Sequence, residues 1–391
     1  MAPDREIPKV LVVGAGIGGL TAAIALRRFG IDVEIYERAS QMRTAGTGLS
    51  INSNATTALR SIGIDLGLEK RGQIVEQFRM MNRHGKLIRE QPVKELFARA
   101  GAPSFSISRS ELQKALLDEA TGIPLTLNAT MTHYTQDEGS VTAHFEDGTE
   151  ARGDFLIGAD GFKSAVRRQL SGLQDVREAG YICWLAITEF SHPKIKPGYV
   201  GHYWGSGQRF GIVDIGDGRV YWWGTKNMPP ALSHDWAGGK KEVADTFSGW
   251  ADEVREIIDQ TSDDAILNVP ARDRAFLERW GDGRVTLLGD AAHPMLTSLA
   301  MGSAMAIEDA VVLASTLADA PGMGPQALRA YEGHRVERTR TMVDKSRSLS
   351  KVEQLEGPIQ CLLRDTFMRL IPKSALIRNN EEAVTFRNPV S

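Results

Sequence analysis

The chain has 391 residues, of which 42% are hydrophobic and 24% charged, and its formal net charge at pH 7 is −3. This composition predicts a globular protein with one large domain or two interlocked ones, and it argues against a disordered chain. Lysines and arginines are scattered rather than clustered, so we expect no nucleic-acid partner. The cysteines, Cys183 and Cys361, lie far apart, which argues against a disulfide framework and a thiolate metal site, and we expect no metal.

The first residues, MAPDREIPK, are polar and lead directly into an apolar strand. They lack the apolar core of a signal peptide, and no run of the chain approaches the roughly 18 apolar residues of a membrane span. We therefore expect a cytoplasmic protein in a reducing compartment, with no membrane contact.

The strongest pattern is a βαβ unit in residues 9–38. A β-branched run predicts a buried strand at Lys9–Val13, and a helix is predicted from about Gly18 to Phe29. Between them lies a GxGxxG turn, whose three glycines are Gly14, Gly16 and Gly19. In such a unit the N–H groups of the turn and the helix N-terminus face a pyrophosphate, so the pattern is typical of a dinucleotide site.

The second strand of this unit, Asp32–Tyr36, ends in Glu37. This acid lies 37 − 14 = 23 residues after Gly14, close to the spacing of about 20 expected for an acid that binds the ribose of a dinucleotide. A purely structural βα turn is the alternative, but it leaves the acid unexplained.

Two later strand ends also carry a glycine beside a carboxylate. Asp160 and Gly161 follow the strand GDFLIG, and Gly289-Asp290 follows a strand predicted at Arg284–Leu288. A helix predicted to begin at Gly302 comes after the second of these ends. Ligands of open α/β sheets bind at the carboxyl ends of the strands, so these ends add two cofactor-facing corners to the glycine turn.

Aromatic residues are concentrated in 180–227, where turn signals at 205–207 and 216–218 separate short alternating runs. The pattern predicts an antiparallel sheet in a separate layer, and a β-hairpin is predicted at Ile74–Arg89. Aromatic side chains on a sheet usually form core, but their hydroxyl and indole groups also suit the wall of an apolar pocket. Both interpretations stay open.

Three further helices are predicted from apolar periodicity. The first is amphipathic and the second is long and charged. The third is apolar and favours packing or a dimer interface over membrane contact. Their ranges are Gly239–Asp259, Pro325–Leu349 and Ile359–Ile371.

The segments GAGIGGLTAAIAL, GDFLIGADGFKSAVR and RVTLLGDAAHPMLTSLAMGSAMAIEDA together resemble the three fingerprints of the single-component FAD-dependent aromatic hydroxylases, the para-hydroxybenzoate hydroxylase family. The resemblance covers roughly residues 9–350 and is nearest to the salicylate, 3-hydroxybenzoate and urate hydroxylase branch. It implies an α/β fold in which a Rossmann-like FAD-binding domain of the glutathione-reductase type is interleaved with an antiparallel-sheet substrate domain. The expected ranges are 1–75, 100–175 and 275–350 for the FAD-binding domain, 76–99 and 176–274 for the substrate sheet, and 351–391 for a C-terminal helical segment.

The resemblance also implies roles for individual residues. The glycine turn should hold the pyrophosphate and Glu37 the adenosine ribose. Asp160 belongs to a motif associated with both FAD and the pyridine nucleotide. Arg109 matches a cofactor-contacting arginine, although by itself it could equally be a solvated cation. The expected cofactor-binding residues are Gly14, Gly16, Gly19, Glu37, Arg38, Arg109, Asp160, Asp290 and Gly302.

The segment GQRFGIVDIGDGRVYWW is similar to the urate hydroxylase branch, which carries an arginine and a tyrosine in its active site. The resemblance implies that Arg209 and Tyr221 are the catalytic residues, with Arg209 stabilising a substrate anion and Tyr221 orienting the substrate. The expected substrate-binding residues are Trp184, Tyr203, Arg209, Tyr221 and Trp223.

The third fingerprint departs from the family pattern at three positions. Thr297 replaces a proline, Ala300 a glycine and Ala304 an asparagine. These residues are expected to line the flavin ring, so the substitutions bear on oxygen activation. His293, in the GDAAHP turn, is predicted to have a structural role rather than to act as a base.

The implied activity is an FAD-dependent monooxygenase that uses NADH or NADPH as a transient co-substrate. It would insert one atom of O2 into an aromatic or heteroaromatic small molecule through a flavin C4a-hydroperoxide. Two alternatives stay open: an epoxidase or N-hydroxylase acting on an indole, quinolone or alkene in a biosynthetic pathway, and a non-catalytic FAD-binding protein. The expected partners are the substrate and O2, and the protein is expected to be a monomer or a homodimer.

Overall fold

The computed structural model describes residues 7–42, 47–320, 322 and 324–390. In chain order its strands are β1 Lys9–Val13, β2 Asp32–Tyr36, β3 Gly48–Ile51, β4 Gln73–Ile74, β5 Gln77–Asn82, β6 Leu87–Gln91, β7 Phe105–Ser108, β8 Leu125–Thr126, β9 Met131–Gln136, β10 Val141–Phe145, β11 Glu150–Gly153, β12 Phe155–Gly158, β13 Val176–Glu189, β14 Tyr199–Trp204, β15 Gln208–Asp214, β16 Arg219–Asn227, β17 Leu267–Arg274 and β18 Val285–Leu287.

The helices of the described residues are α1 Ile17–Arg28, α2 Ser53–Ser61, α3 Leu68–Arg71, α4 Val93–Ala100, α5 Arg109–Glu119, α6 Ala165–Ser171, α7 Pro230–His234, α8 Gly239–Thr246, α9 Asp252–Gln260, α10 Gly302–Asp319, α11 Pro325–Glu353, α12 Pro358–Leu370 and α13 Lys373–Val384. Short 3-10 turns occur at Asp263–Ala265, Gly289–Ala291 and Thr297–Leu299. Within these described residues, no helix combines the length and apolar character needed to cross a bilayer.

A parallel sheet in the order β18-β12-β1-β2-β8 forms the first layer. β1 lies at its centre, and Val10–Val13 are buried there, as expected for a strand covered on both faces. α1 starts one residue earlier than the predicted helix and packs against α10. Because the strands are parallel, the carboxyl ends of β1, β2, β12 and β18 meet at one edge. The three corners inferred from the sequence are therefore neighbours in space.

The second layer is a seven-stranded sheet in the order β17-β13-β16-β15-β14-β5-β6. It combines strands from 176–274 with the β5–β6 hairpin, which the sequence placed at Ile74–Arg89. α8 and α9 cover one face of the sheet, where Trp184, Phe210 and Trp222 form a hydrophobic core with Phe247. We call this the outer face.

The helix predicted at Gly239–Asp259 is wrong as a single element, because the chain forms α8 and α9 instead. The break contains Gly249, whose φ of +75° ends the helical path. Phe247 and Trp250 flank it, and their rings meet edge to face 5.0 Å apart in the outer-face core. The turn lets both aromatic side chains reach the sheet.

Candidate cofactor and substrate site

The glycine turn is packed tightly at two of its glycines and open at the third. Gly14 has a φ of +106°, and a Cβ there would overlap the carbonyl of Ala159 at the end of β12. A Cβ on Gly19 would overlap the carbonyl of Gly14, whereas a Cβ on Gly16 would meet nothing within 4 Å. Backbone N–H groups at the start of α1 therefore border open space, which is the geometry that a pyrophosphate requires.

Glu37 lies beside this turn and is held by backbone donors. Its Oε2 accepts from the N–H of Ala15 at 2.7 Å and its Oε1 from the N–H of Ala39 at 2.9 Å. A carboxylate oxygen has two lone pairs, so each oxygen keeps one for a ribose hydroxyl. Arg38, the next residue, is exposed. The donor set and the free space fit an adenosine ribose and pyrophosphate.

Arg109 is the first residue of α5 and is exposed. One turn later on the same helix, Gln113 donates from its Nε2 to the carbonyl of Ala15 at 3.4 Å. Residues four apart share a helix face, so Arg109 lies on the face of α5 that reaches the glycine turn. This placement supports the predicted cofactor contact, which stays a prediction.

Asp160 follows β12 and caps the start of α6. Its Oδ2 accepts from the N–H of Ala165 at 2.6 Å, while its Oδ1 is buried without a hydrogen-bond partner in the described residues. Burial raises the pKa of this carboxyl. A buried acceptor left unpaired beside the glycine turn fits a donor supplied by a bound cofactor.

The third corner joins Asp290 to the start of α10. Asp290 is exposed, and its Oδ1 lies 4.0 Å from the position of a Cβ on Gly302. Between them Ala300 has φ 51° and ψ 33°, a left-handed conformation. The side-chain amide of Asn52 donates to the carbonyl of Ala300 at 2.9 Å and holds this loop.

A buried charge network fixes this corner from behind. The Nε2 of His293 lies 2.6 Å from Oδ2 of Asp309, and Nε of Arg335 donates to Oδ1 of Asp309 at 2.7 Å. Burial would raise the pKa of Asp309, but the charges of His293 and Arg335 hold it below its ordinary value. The network supports the structural role predicted for His293. Sequence reasoning missed Asp309. The adjacent acids Glu308 and Asp309 inside the apolar helix α10 were a signal of buried charge.

The face of the seven-stranded sheet opposite α8 and α9 contacts β3, because the Tyr221 ring on that face packs against Gly48. Residues paired across antiparallel strands share a face, and Arg209↔Thr225, Gly211↔Trp223 and Val213↔Tyr221 are such pairs. We call this the inner face. Its members used below are Leu185, His202, Arg209, Tyr221 and Trp223.

Trp184 and Tyr203 lie on the outer face instead. Both are fully buried, and Tyr203 donates from its hydroxyl to Oε1 of Glu253 on α9 at 2.9 Å. Their side chains point away from Arg209, Tyr221 and Trp223. This placement does not support the predicted substrate contacts of Trp184 and Tyr203, and we leave both out of the proposed site.

Tyr221 lies where the seven-stranded sheet meets β3, and Trp223 lies on the same face of that sheet. A Cβ on Gly48 of β3 would overlap the Tyr221 ring, and a Cβ on Gly211 would overlap the Trp223 indole. Both aromatic side chains stay partly exposed, as do Leu185 and His202. Burial raises the pKa of Tyr221 far above its ordinary value, so its hydroxyl stays protonated. The inner face thus keeps an accessible, largely apolar wall beside the FAD-binding part.

Arg209 is buried on this face and paired with the end of α11. Its guanidinium forms an ion pair with Glu353, and its Nε donates to Oε1 of Gln354 at 2.9 Å. Its charge also lies 5.2 Å from the Trp223 ring centroid. Sequence reasoning missed Glu353 and Gln354, because no local pattern connects them with a strand more than a hundred residues earlier.

Residues 8–346 match the FAD binding domain family. The chain belongs to this family. Aurachin C monooxygenase/isomerase of Stigmatella aurantiaca is 37% identical to this flavoprotein over 93% of this chain and 94% of the relative. The FAD-dependent urate hydroxylase of Klebsiella pneumoniae is 31% identical over 87% of this chain and 88% of the relative.

The fold of this flavoprotein is similar to that of a solved relative. The crystal structure of Klebsiella pneumoniae HpxO with FAD and uric acid matches it with a TM-score of 0.89 at 27% identity, covering 96% of each chain. The comparisons confirm the resemblance to the aromatic hydroxylases, the α/β fold class and FAD as cofactor. The flavoprotein is an FAD-dependent monooxygenase, and NAD(P)H is the reductant typical of its family.

Proposed function

We propose that this monooxygenase adds one oxygen atom from O2 to an aromatic or heteroaromatic small molecule that binds against the inner face. The observation that carries the proposal is the partly exposed wall of Leu185, His202, Tyr221 and Trp223, which meets the FAD-binding part at Gly48. The similarity to a urate hydroxylase and to HpxO, which binds uric acid, supports a flat heteroaromatic ligand.

In this proposal the protein positions the substrate and excludes water. The Trp223 indole lies on the bare backbone of Gly211 and offers a flat surface for ring stacking. The protonated hydroxyl of Tyr221 donates to a polar group of the substrate and orients it. Bound FAD supplies the redox chemistry, accepting hydride from the nicotinamide and activating O2.

We further propose that FAD is held by the residues at the sheet edge. The N–H groups around Gly16 hold the pyrophosphate, Glu37 the ribose, and Asp290 and Gly302 the flavin end. The remaining candidates are Gly14, Gly19, Arg38, Arg109 and Asp160. The division into an FAD-binding domain, a substrate sheet and a C-terminal segment keeps the ranges given above, and we propose a cytoplasmic enzyme that is a monomer or a homodimer.

A second candidate function is epoxidation or N-hydroxylation of a quinolone, indole or alkene. The similarity to aurachin C monooxygenase/isomerase favours it, because that relative matches at higher identity than the urate hydroxylase and over nearly the whole of both chains. The substrate decides between the two candidates, since the same fold and cofactor serve both.

One experiment tests both candidates. The purified holoenzyme is supplied with NADPH or NADH, 18O2 and a panel of phenols, quinolones, indoles and alkenes, and the products are weighed by mass spectrometry. A product heavier by one labelled oxygen on an aromatic carbon supports hydroxylation. A labelled epoxide or N-hydroxy product supports the second candidate. Peroxide release with no labelled product from any ring compound contradicts the proposed function.

A further inference from the structure

The cation on the inner face is already paired before any substrate binds. The side chains of Arg209 and Glu353 are each only 3% exposed, and they form a direct ion pair. Arg209 also donates from Nε to Gln354, whose Oε1 accepts a second hydrogen bond from the Thr225 hydroxyl at 2.9 Å. The Oδ1 of Asn227 accepts a further hydrogen bond from Nε2 of Gln354 at 2.7 Å. The end of α11 is therefore held against the sheet in a defined position.

Four ionisable side chains around Arg209 carry no charge at neutral pH. Burial and the charge of Arg209 lower the pKa of His202 to about 3. Burial raises the pKa of Cys183 to about 11 and that of Tyr181 to about 12. The phenol of Tyr221 is also protonated. Burial raises the pKa of Glu353, and the charge of Arg209 opposes that rise. In the direct ion pair the opposite charges of Arg209 and Glu353 cancel, and the nearby Arg364 is itself paired with Asp365.

This balance matters because the pair is desolvated. An unpaired buried guanidinium would attract an anionic ligand strongly, whereas a paired one has its charge cancelled at short range. A substrate anion that approached Arg209 would also meet the carboxylate of Glu353 and lose its own hydration. A neutral ring loses little hydration and gains stacking on Trp223.

We propose that Glu353 is a specificity-determining residue, which cancels the charge of Arg209 so that the enzyme selects neutral aromatic substrates over aromatic carboxylates. The inference rests on the proposed function, and it replaces the predicted stabilisation of a substrate anion by Arg209. Glu353 acts through Arg209 and touches no reacting atom, so its effect is on substrate choice.

The test compares ligands that differ only in charge. The pairs are 3-hydroxybenzoate with 3-hydroxybenzamide, indole-3-carboxylate with indole-3-carboxamide, and quinoline-4-carboxylate with its amide. Dissociation constants are measured from flavin absorbance changes of the holoenzyme. We expect the wild type to bind the amides more tightly. Glu353→Gln should change the ratio of the carboxylate and amide dissociation constants by about tenfold or more in favour of the carboxylate. The reason is that the variant leaves the desolvated charge of Arg209 unpaired.

Two further variants separate charge from folding. Arg209→Gln combined with Glu353→Gln removes both charges, and it should keep the preference for amides while retaining FAD. Glu332→Gln is the matched control, because Glu332 is another buried acid of α11 and pairs with Arg329 away from the seven-stranded sheet. The ratio of dissociation constants in this variant should equal that of the wild type.

Several results would overturn the proposal: a wild type that prefers carboxylates, an unchanged ratio in Glu353→Gln, an equal shift in Glu332→Gln, or no binding by either member of every pair. Failure of the proposed function is seen separately, as the absence of labelled product in the 18O2 experiment.

Discussion

Ala300 occupies a backbone conformation that suits glycine. Its φ of 51° lies in the left-handed region, where a side chain costs roughly 1–2 kcal/mol. The aromatic hydroxylase pattern that the third fingerprint resembles has a glycine at this position. The left-handed backbone conformation gives a physical reason for that glycine. The strain lies in the loop before α10, beside Asn52.

Replacing Ala300 with glycine should therefore stabilise the protein. We expect Ala300→Gly to raise the free energy of unfolding by about 0.5–1 kcal/mol, because relief of strain exceeds the added chain entropy. Urea unfolding of the holoenzyme measures this difference. Ala314→Gly, in the right-handed helix α10, is the control and should destabilise by about 1 kcal/mol or more. Destabilisation by Ala300→Gly would show that residue 300 is not strained.

His202 provides a pH-dependent prediction. Its pKa falls from 6.5 to about 3 on folding because of burial and the charge of Arg209. Between these values the unfolded chain holds a proton on this imidazole that the folded protein does not, so this residue makes stability rise with pH. Its contribution is lost as the pH falls from about 6 toward 4, at up to about 1.4 kcal/mol per pH unit.

The variant His202→Gln should remove that slope. Urea unfolding of both proteins from pH 4 to pH 7 gives the difference in free energy directly. We expect the difference to change steadily below pH 6 and to be constant near pH 7. A difference independent of pH over the whole range would mean that folding does not lower the pKa of His202.

At the scale of elements, the three glycines of the turn differ in what requires them. The sequence pattern treats its glycines alike, but only Gly14 and Gly19 are required by contacts within the protein. Gly16, with φ −74° and ψ −176°, has a backbone conformation open to any residue. No contact of the described residues requires a glycine there, so we propose that its small size serves the cofactor.

The turn therefore predicts opposite outcomes for two similar changes. Gly16→Ala should leave the unfolding free energy of the FAD-free protein nearly unchanged but weaken FAD binding, because the new methyl group enters the pyrophosphate space. Gly14→Ala should destabilise the FAD-free protein, since its Cβ overlaps Ala159 and its φ is +106°. Flavin titration and urea unfolding measure the two effects. Unchanged FAD affinity in Gly16→Ala would contradict the proposed location of the pyrophosphate at Gly16.

Glu37 can be tested in the same way. Glu37→Ala should weaken FAD retention, because the free lone pairs of this carboxylate are assigned to the ribose. Glu34→Ala is the matched control on β2, where Glu34 forms an ion pair with Lys9. The flavin content of the purified proteins is the measurement. Equal flavin content in the two variants would remove Glu37 from the cofactor site.

At the scale of the whole molecule, α11 connects the two layers. Near its middle Arg335 binds Asp309 of α10. Further along, Arg347 binds Asp273 of β17, and the helix ends at Glu353 on the inner face. A single 29-residue helix thus fixes the seven-stranded sheet relative to α10 and the parallel sheet.

Asp273 is the buried acid in this connection, and Arg177 and Arg347 both pair with it. We expect Asp273→Asn to lower the free energy of unfolding by about 1–3 kcal/mol, because it leaves two partly buried guanidinium groups without their partner. Glu278→Gln, which removes the exposed partner of Arg340 on the same helix, should have no measurable effect. Equal stability of all three proteins would show that this connection is not a source of stability.

The oligomeric state stays a prediction at this scale. The predicted apolar helix near the C-terminus is present as α12, and Ile359, Leu363, Phe367 and Leu370 are each more than 60% exposed on it. Sedimentation velocity of the purified enzyme distinguishes the monomer from the homodimer.

The sequence by itself determined what depends on short-range order. The strand at Lys9–Val13, the turn that follows it and the helix from Gly302 were predicted correctly as elements, because spacing and periodicity act within a few residues. The parallel arrangement of the strands then brought their carboxyl ends together, as expected for this fold class.

Only the tertiary structure decided which side chains lie on the inner face of the seven-stranded sheet. Tyr203 pairs with Phe210, and Trp204 pairs with Arg209, so a difference of one residue puts Tyr203 on the outer face. That register depends on the turn between β14 and β15 and on which face α8 and α9 cover. The pairing of Arg209 with Glu353 was beyond the sequence for the same reason, since ion pairs between distant segments follow from how the layers pack.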